Sequence, residues 1–567
     1  MGKEEFNRLV SKFNDLFTED SDSRIALGLE TDLEDFSIPT VEQQEYDTRR
    51  SKRLLREFKK CSRRGLTFDE KLDLELGELA LKQDIFSSTY TYDGKTWVEQ
   101  MPMGGEIGDG IFRLFINDPR PLEERLNNIT ARLENAPVFL RDNLRTLKTP
   151  VKRWVDLDIE MVGKLPELFD DIYNVAENED YPQLRRMEKA RDKLNLELRK
   201  YKKKLRAMPT TQNIVIGDEQ ARELVRLNGI DTTFEEMHVM AKDFFEENKI
   251  YLSELRQRLV ERYKLPKNTS NHKLHCFLNK EFAVPLDKIL DTYKEEMKEI
   301  VKFIKRRNLF EIPSKQEIEL VKTPKYLEPI LPAGAMDSPP PFRKGVKKSI
   351  VYLTLNSKLV DEHTRLKIPG MMVHEGIPGH HLQYATAYAN KSIIRKHLFP
   401  MEHAEGWTTM LEELMLDEGY MEDWEDEARF IGLIDLNRIG ARVGIDLYFM
   451  TGEIEYLNVG VNYGKNTSSP FANAEKLLRE VTGFSPSRVR TEINGYSQMP
   501  GYPLSYLVGN RLVWELKEDL AEAQGRKLRG PTLDREFHKV YLESGCMPIK
   551  YLRTVFEHKK LIPKIKR

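Results

Sequence analysis

Three cysteines in 567 residues, Cys61, Cys276 and Cys546, are too scattered and odd in number for a disulfide framework. None belongs to a CxxC pair, which argues equally against a cysteine-ligated zinc site. No apolar run approaches the roughly 18 residues that a helix needs to cross a bilayer, so no membrane span is expected. An excess of one charge is missing too. Lys+Arg total 90 against 92 Asp+Glu, leaving a net charge of −2 and no basic field with which to grip nucleic acid. The opening MGKEEFNRLVSKFNDLF is charged from its third residue and lacks a signal-peptide core. Its Met-Gly start has Phe6 where a myristoylation signal wants Ser or Thr. Together these absences give the expectation of a soluble, cytoplasmic protein with neither membrane nor nucleic-acid partners.

What is present is helical pattern. The length exceeds the roughly 250–300 residues at which a single core stops growing, so more than one core is expected. A 32% charged fraction suits long exposed helical faces. Apolar residues recur at helical spacing over Glu4 to Phe17, Phe68 to Gln83, Thr233 to Leu259 and Leu286 to Lys305. Pro121 to Leu147 predicts two helices separated at Ala136-Pro137. The Lys/Arg-dense stretch Gln183 to Met208 reads as a solvated helix laced with ion pairs. Gly104 to Gly110 lacks the Lys-Ser/Thr ending of a phosphate loop and is expected to be an ordinary loop. Texture changes near residue 325. Ser338-Pro339-Pro340-Pro341 is stiff and extended, and Ser349 to Asn356, reading SIVYLTLN, is the best strand in the chain. The organisation expected is a mainly helical N-terminal region, 1–325, forming one wall of a cleft, and a metal-binding catalytic region, 326–567.

Six of the 11 histidines lie between His363 and His403, and three of them, with a glutamate, fall within eight residues: His374-Glu375-Gly376-Ile377-Pro378-Gly379-His380-His381. Neutral imidazoles bind zinc, and a glutamate beside one of them can deprotonate a metal-activated water. The familiar HExxH arrangement sets its histidines four apart on one helical face, but here that fourth position is Pro378. On a straight helix, His381 shares a face with His374 but lies about 10 Å further along, and His380 is on another face. Ligands about 2.0–2.1 Å from one zinc cannot be so far apart. Pro378-Gly379 resolves the conflict if it breaks the helix and folds one or both later histidines back. Spacing alone leaves His380 and His381 as alternatives. The third ligand indicated is Glu405, at the start of the helical segment 403–414, where Gly406 leaves room for a neighbouring element. Glu412, seven residues on and on the same face, is placed to support a ligating histidine from behind, whereas His403 falls on another face and is expected to be structural.

HEGIPGHHLQ followed by EGWTTMLEEL resembles the DUF885 family, whose hallmark is HExxPGHHxQ followed by EGW. Further similar pieces are the Arg438…Arg442…Asp446 helix, the Pro500-Gly501-Tyr502-Pro503-Leu504-Ser505-Tyr506 stretch and Arg535-Glu536-Phe537-His538. The clear resemblance runs over about residues 335–555. It implies a mainly α, zincin-like helical fold with a deep cleft, lined by a small β element, and a Zn2+-dependent metallopeptidase. The strand Ile350 to Asn356 would then line the cleft and pair with an extended substrate. Tyr506 or Tyr496 would donate to the oxyanion. Arg438 and Arg442, four apart on one helical face, would orient a substrate carboxylate or support Glu405 and Asp446. The chain departs from the family pattern at Met450, where a histidine is usual, at Tyr502-Pro503 in place of Gln-Ala, and at Gly495-Tyr496 in place of Arg-Tyr. These departures touch the substrate region and leave the metal motif intact.

The function expected is hydrolysis of a peptide or small amide substrate, with zinc held by His374, His380 or His381, and Glu405, and with Glu375 as general base. Two rivals share the residues: a metal-dependent amide hydrolase acting on a small metabolite, and a two-histidine, one-carboxylate non-haem iron enzyme.

Overall fold

The helical periodicity is realised in a computed structural model that describes residues 2–331 and 333–564; Met1, Pro332 and 565–567 lie outside the described residues. The first helix, Gly2–Phe17, buries Phe6, Leu9 and Phe13. Helix Phe68–Ser87 starts at a capping box in which Thr67 and Glu70 satisfy each other's backbone N–H groups. Thr233 and Glu236 do the same at the head of helix Phe234–Arg262. The basic helix Leu184–Ala207 buries Met187, Leu194, Leu198, Tyr201 and Leu205, keeping its charges outward. Among the described residues no helix is long and apolar enough to cross a membrane, and the three cysteines are unpaired.

Two local expectations fail, each for a packing reason. Residues 122–146 form one helix, Leu122–Thr146, that runs straight through Pro137. Leu126, Ile129, Leu133, Ala136 and Leu140 all face one buried stripe, so tertiary packing outweighs the lost backbone bond. The glycine-rich run, expected as a loop, enters helix Glu106–Ile116. Gly110 sits against the Arg132 guanidinium and Gly108 against the Tyr326 ring, with no space for a Cβ at either position.

A three-stranded sheet crosses the middle of the chain. Lys347–Leu353 is its central strand, parallel to Gln316–Lys322 on one side and antiparallel to Gly334–Asp337 on the other. The strand read from the sequence is therefore paired on both edges and cannot accept a substrate backbone. The β element that lines the cavity is Gly334–Asp337, with Gly334, Ala335 and Met336 on the cavity wall.

Two large apolar cores each draw on both halves of the chain. One joins Trp154 and Leu194 to Ile445 and Leu507. The other joins Phe13 and Leu76 to Met372, Trp407 and Phe556. The helices that carry the histidine cluster and Glu405, Lys367–Glu375, His380–Ala387 and Met401–Asp417, are embedded in this second core.

Candidate metal centre

The Pro-Gly segment does to the backbone what the spacing requires. Helix Lys367–Glu375 stops at Gly376, and a new helix begins at His380. Between them Gly379 lies directly on the backbone of the preceding helix: a Cβ there would overlap the carbonyl oxygens of His374 and Val373. Only glycine permits that approach, and it folds His380 back beside His374. The two imidazole centroids are 4.9 Å apart and nearly perpendicular.

Glu405 comes to them on helix Met401–Asp417, which crosses helix Ser505–Ala523 at a glycine pair. A Cβ on Gly406 would overlap the Gly509 backbone, and one on Gly509 the Glu402 carbonyl. The space anticipated beside Gly406 is thus filled by a second helix. Glu405 Oε2 is 3.4 Å from His374 Nε2 and 3.4 Å from His380 Nε2. Three ligand atoms on a tetrahedral zinc at about 2.0–2.1 Å are themselves about 3.3 Å apart. Oε2 is buried without a hydrogen-bond partner, and such an atom is costly unless something else occupies its lone pairs. His374, His380 and Glu405 form the metal-competent group among the described residues, and their geometry fits a small divalent ion.

Outer contacts fix each of the three candidate ligands. His374 Nδ1 donates to Glu412 Oε1 at 2.7 Å, the support expected of Glu412. His380 Nδ1 faces Gln383 Oε1 at 3.5 Å, and the Gln383 amide in turn donates to the carbonyl and ring of His403. His403, stacked flat on Tyr541, is structural, as its position on the helix suggested. Burial disfavours charge on His374, but Glu405 and Glu412 outweigh it and raise its pKa to about 10. Burial likewise opposes ionisation of Glu405, yet His380 and His374 hold its carboxyl well below the usual range. A bound cation would replace that histidine proton. Replacing Glu412 with Ala should weaken zinc affinity by about 10–100-fold, the usual cost of losing an outer-sphere partner; chelator competition measures it, and an unchanged affinity would show that Glu412 does not orient the ring.

His381 points elsewhere. Its Nδ1 accepts from Ser349 Oγ and its Nε2 donates to Gln316 Oε1, both at 2.7 Å, so both ring nitrogens are held by the sheet. Burial lowers its pKa to about 4 and keeps it neutral. Between the two alternatives, the geometry brings His380 to the cluster and leaves His381 tying helix His380–Ala387 to the sheet.

Glu375 is not one of the three converging residues, but it lines the same cavity, a space of about 880 Å³ also bounded by His374, His380, Glu405, Tyr496, Tyr502 and Tyr506. Tyr506 stacks 6.4 Å from the His374 ring, and its hydroxyl is 2.6 Å from that of Tyr502. Tyr496 receives a hydrogen bond from Arg442 Nε and donates its own proton to Glu492. Arg442 also bonds Glu492. Asp446 accepts from the backbone N–H groups of Gly501 and Leu504 rather than from either arginine. Arg438 lies on the cavity wall.

Tyr502 is the residue that sequence reasoning missed. Its hydroxyl donates to Glu405 Oε1 at 3.0 Å, which leaves Oε2 free. The signal was present as the departure at Tyr502-Pro503, four residues before Tyr506, but nothing in the sequence linked that position to Glu405. Met450, the other departure, is a buried core side chain.

The fold has solved relatives. A "putative lipoprotein" from Colwellia psychrerythraea superposes with a TM-score of 0.77 at 16% identity, covering 98% of this chain and 99% of that one. A "putative lipoprotein of unknown function" from Shewanella oneidensis gives 0.73 at 17% identity, covering 97% and 99%. No curated protein matches the chain. The model of the family described as "Bacterial protein of unknown function (DUF885)" matches residues 22–555, and the chain belongs to that family.

Proposed function

We propose that this protein is a zinc-dependent hydrolase of peptide bonds, working in the reducing cytoplasm that its unpaired cysteines suit. The observation that carries the reading is the buried, unpartnered Glu405 Oε2 with two imidazole nitrogens 3.4 Å away, at the wall of a cavity large enough for a peptide segment. His374 Nε2, His380 Nε2 and Glu405 Oε2 are the atoms that would hold zinc. When bound, the ion supplies Lewis-acid polarisation of the scissile carbonyl and lowers the pKa of water.

The chain's own groups do the rest. Glu375, next to a ligand but outside the ligand set, takes the proton of the attacking water on its carboxylate and returns it to the leaving amine. The Tyr506 hydroxyl, which gives its proton to the neutral Tyr502 oxygen at 2.6 Å, turns that proton to the oxyanion that develops on the carbonyl; Tyr496, which donates to the Glu492 carboxylate, is the weaker candidate. Tyr502 holds Glu405 Oε1 so that Oε2 keeps its aim.

Chelator-stripped protein should bind one zinc per chain, release about one proton at neutral pH as His374 gives up its own, and gain hydrolysis of a mixed peptide library read by mass spectrometry. Recovery of activity with ferrous iron alone, or cleavage of small amides with every peptide left intact, would replace the peptidase reading with one of its two rivals.

A further inference from the structure

The cavity wall beyond Tyr506 carries a cluster of arginines whose hydrogen bonds are incomplete. Arg442 is buried, with its guanidinium carbon 4.0 Å from the Tyr506 ring centre. Its Nε and one terminal nitrogen are used by Tyr496 and Glu492, while Nη1 is buried with no partner. Arg438, one turn earlier on helix Glu425–Thr451, is less satisfied still: its Nε is buried and unpartnered. Among the described residues, every other lysine or arginine lining the cavity has a carboxylate partner, whether Asp426 for Arg258, Glu362 for Lys367 and Arg488, Glu247 for Arg511 or Asp417 for Arg429 and Arg529. Arg438 has none. The carboxylates whose charge it feels are Glu412, Glu492 and Asp435; the first two are committed to His374 and to Arg442 with Tyr496, and Asp435, three residues earlier on the same helix, lies 4.0 Å from Lys367 and makes no ion pair with Arg438.

Arg438 is half-buried at the cavity wall with no carboxylate partner, and a guanidinium so placed suits an anion whose geometry matches its fork, a carboxylate. The position says which one. The Arg442 carbon, the Tyr506 ring and the His374 ring lie in series, separated by 4.0 and 6.4 Å. Arg442 is therefore within about three extended residues of the His374 ring, at roughly 3.3–3.6 Å per residue, and Arg438 stands one helical turn from Arg442. Resting on the peptidase reading above, we propose that Arg438 and Arg442 bind the terminal α-carboxylate of the substrate, which makes the protein a carboxypeptidase that releases short C-terminal fragments of one to three residues. Endopeptidase action on long chains is disfavoured by the same contact, because an internal peptide group offers no anion to Arg438.

The test uses the zinc-loaded full chain and N-acetylated hexapeptides in three forms: C-terminal acid, C-terminal amide, and amide with a glutamate near the end. The acid should be cut one to three residues from its terminus, with kcat/KM about ten- to a hundredfold above either amide, the worth of a charge-assisted hydrogen bond. In Arg438→Met the acid-to-amide ratio should fall to about one while zinc content is unchanged, and Arg438→Lys should restore part of the ratio. Equal cleavage of acid and plain amide overturns the carboxylate proposal and leaves the peptidase reading standing. Preference for the glutamate-bearing amide over the acid overturns it in favour of an acidic side chain as the anion. If none of the three peptides is cut by zinc-loaded protein, both readings fall. Should Arg438→Met not fold, the three-form comparison in the wild-type protein and the Arg438→Lys ratio still decide.

Discussion

Glu375→Gln should bind zinc as the wild type does and lose hydrolysis by about 10²–10⁴-fold in kcat, the usual contribution of a general base. The amide keeps the shape of the carboxylate but cannot accept the proton of the attacking water. Retention of metal is expected because the converging group is His374, His380 and Glu405, without Glu375. The pair of readouts matters: a variant that lost metal as well would place Glu375 in the ligand set, and one that hydrolysed at full rate would remove it from the chemistry.

Gly379→Ala should be as damaging by a different route. The added methyl would meet the carbonyl oxygens of His374 and Val373, which are main-chain atoms and cannot rotate away. Either His380 withdraws from His374 or the preceding helix yields, and both outcomes separate the ligands. Zinc affinity should drop by more than the roughly 10–100-fold that follows loss of an outer hydrogen bond, with about 3 kcal/mol of overpacking cost read as a lowered Tm. Gly370→Ala in the same helix is the control. No atom within 4 Å meets a Cβ there, and alanine is the better helix former by roughly 0.5–1 kcal/mol. Wild-type zinc affinity in Gly379→Ala would mean that the close backbone approach does not set the ligand geometry.

The candidate metal group was largely legible in the sequence because its residues are close in the chain and chemically distinctive. His374, Glu375 and the Pro-Gly break stand within eight residues, and Glu405 follows on a helix with its own pattern. The choice between His380 and His381 was not legible. It depends on the backbone angles at Gly376 and Gly379, and on Gln316, which lies 65 residues away and captures His381. Tyr502 escaped for the same reason, being 97 residues from the carboxylate it holds. The N-terminal helices were read well wherever periodicity and caps agreed. They were misread at Pro137 and Gly108-Gly110, where a distant partner overrode the local signal. The strand was found, but its two neighbours could not be, so its edge was offered to a substrate that only Gly334–Asp337 can reach.

The phenol at Tyr502 also bears on which ions such a centre would accept. With Oε1 engaged by the phenol, Glu405 presents one unengaged oxygen, Oε2, toward the two imidazoles. Calcium, which gathers about six to eight oxygen donors, finds one carboxylate atom and two nitrogens here, too few and too soft. A centre built on these three atoms would therefore disfavour the hard, high-coordination cations, and the tyrosine would contribute to that choice without touching the ion.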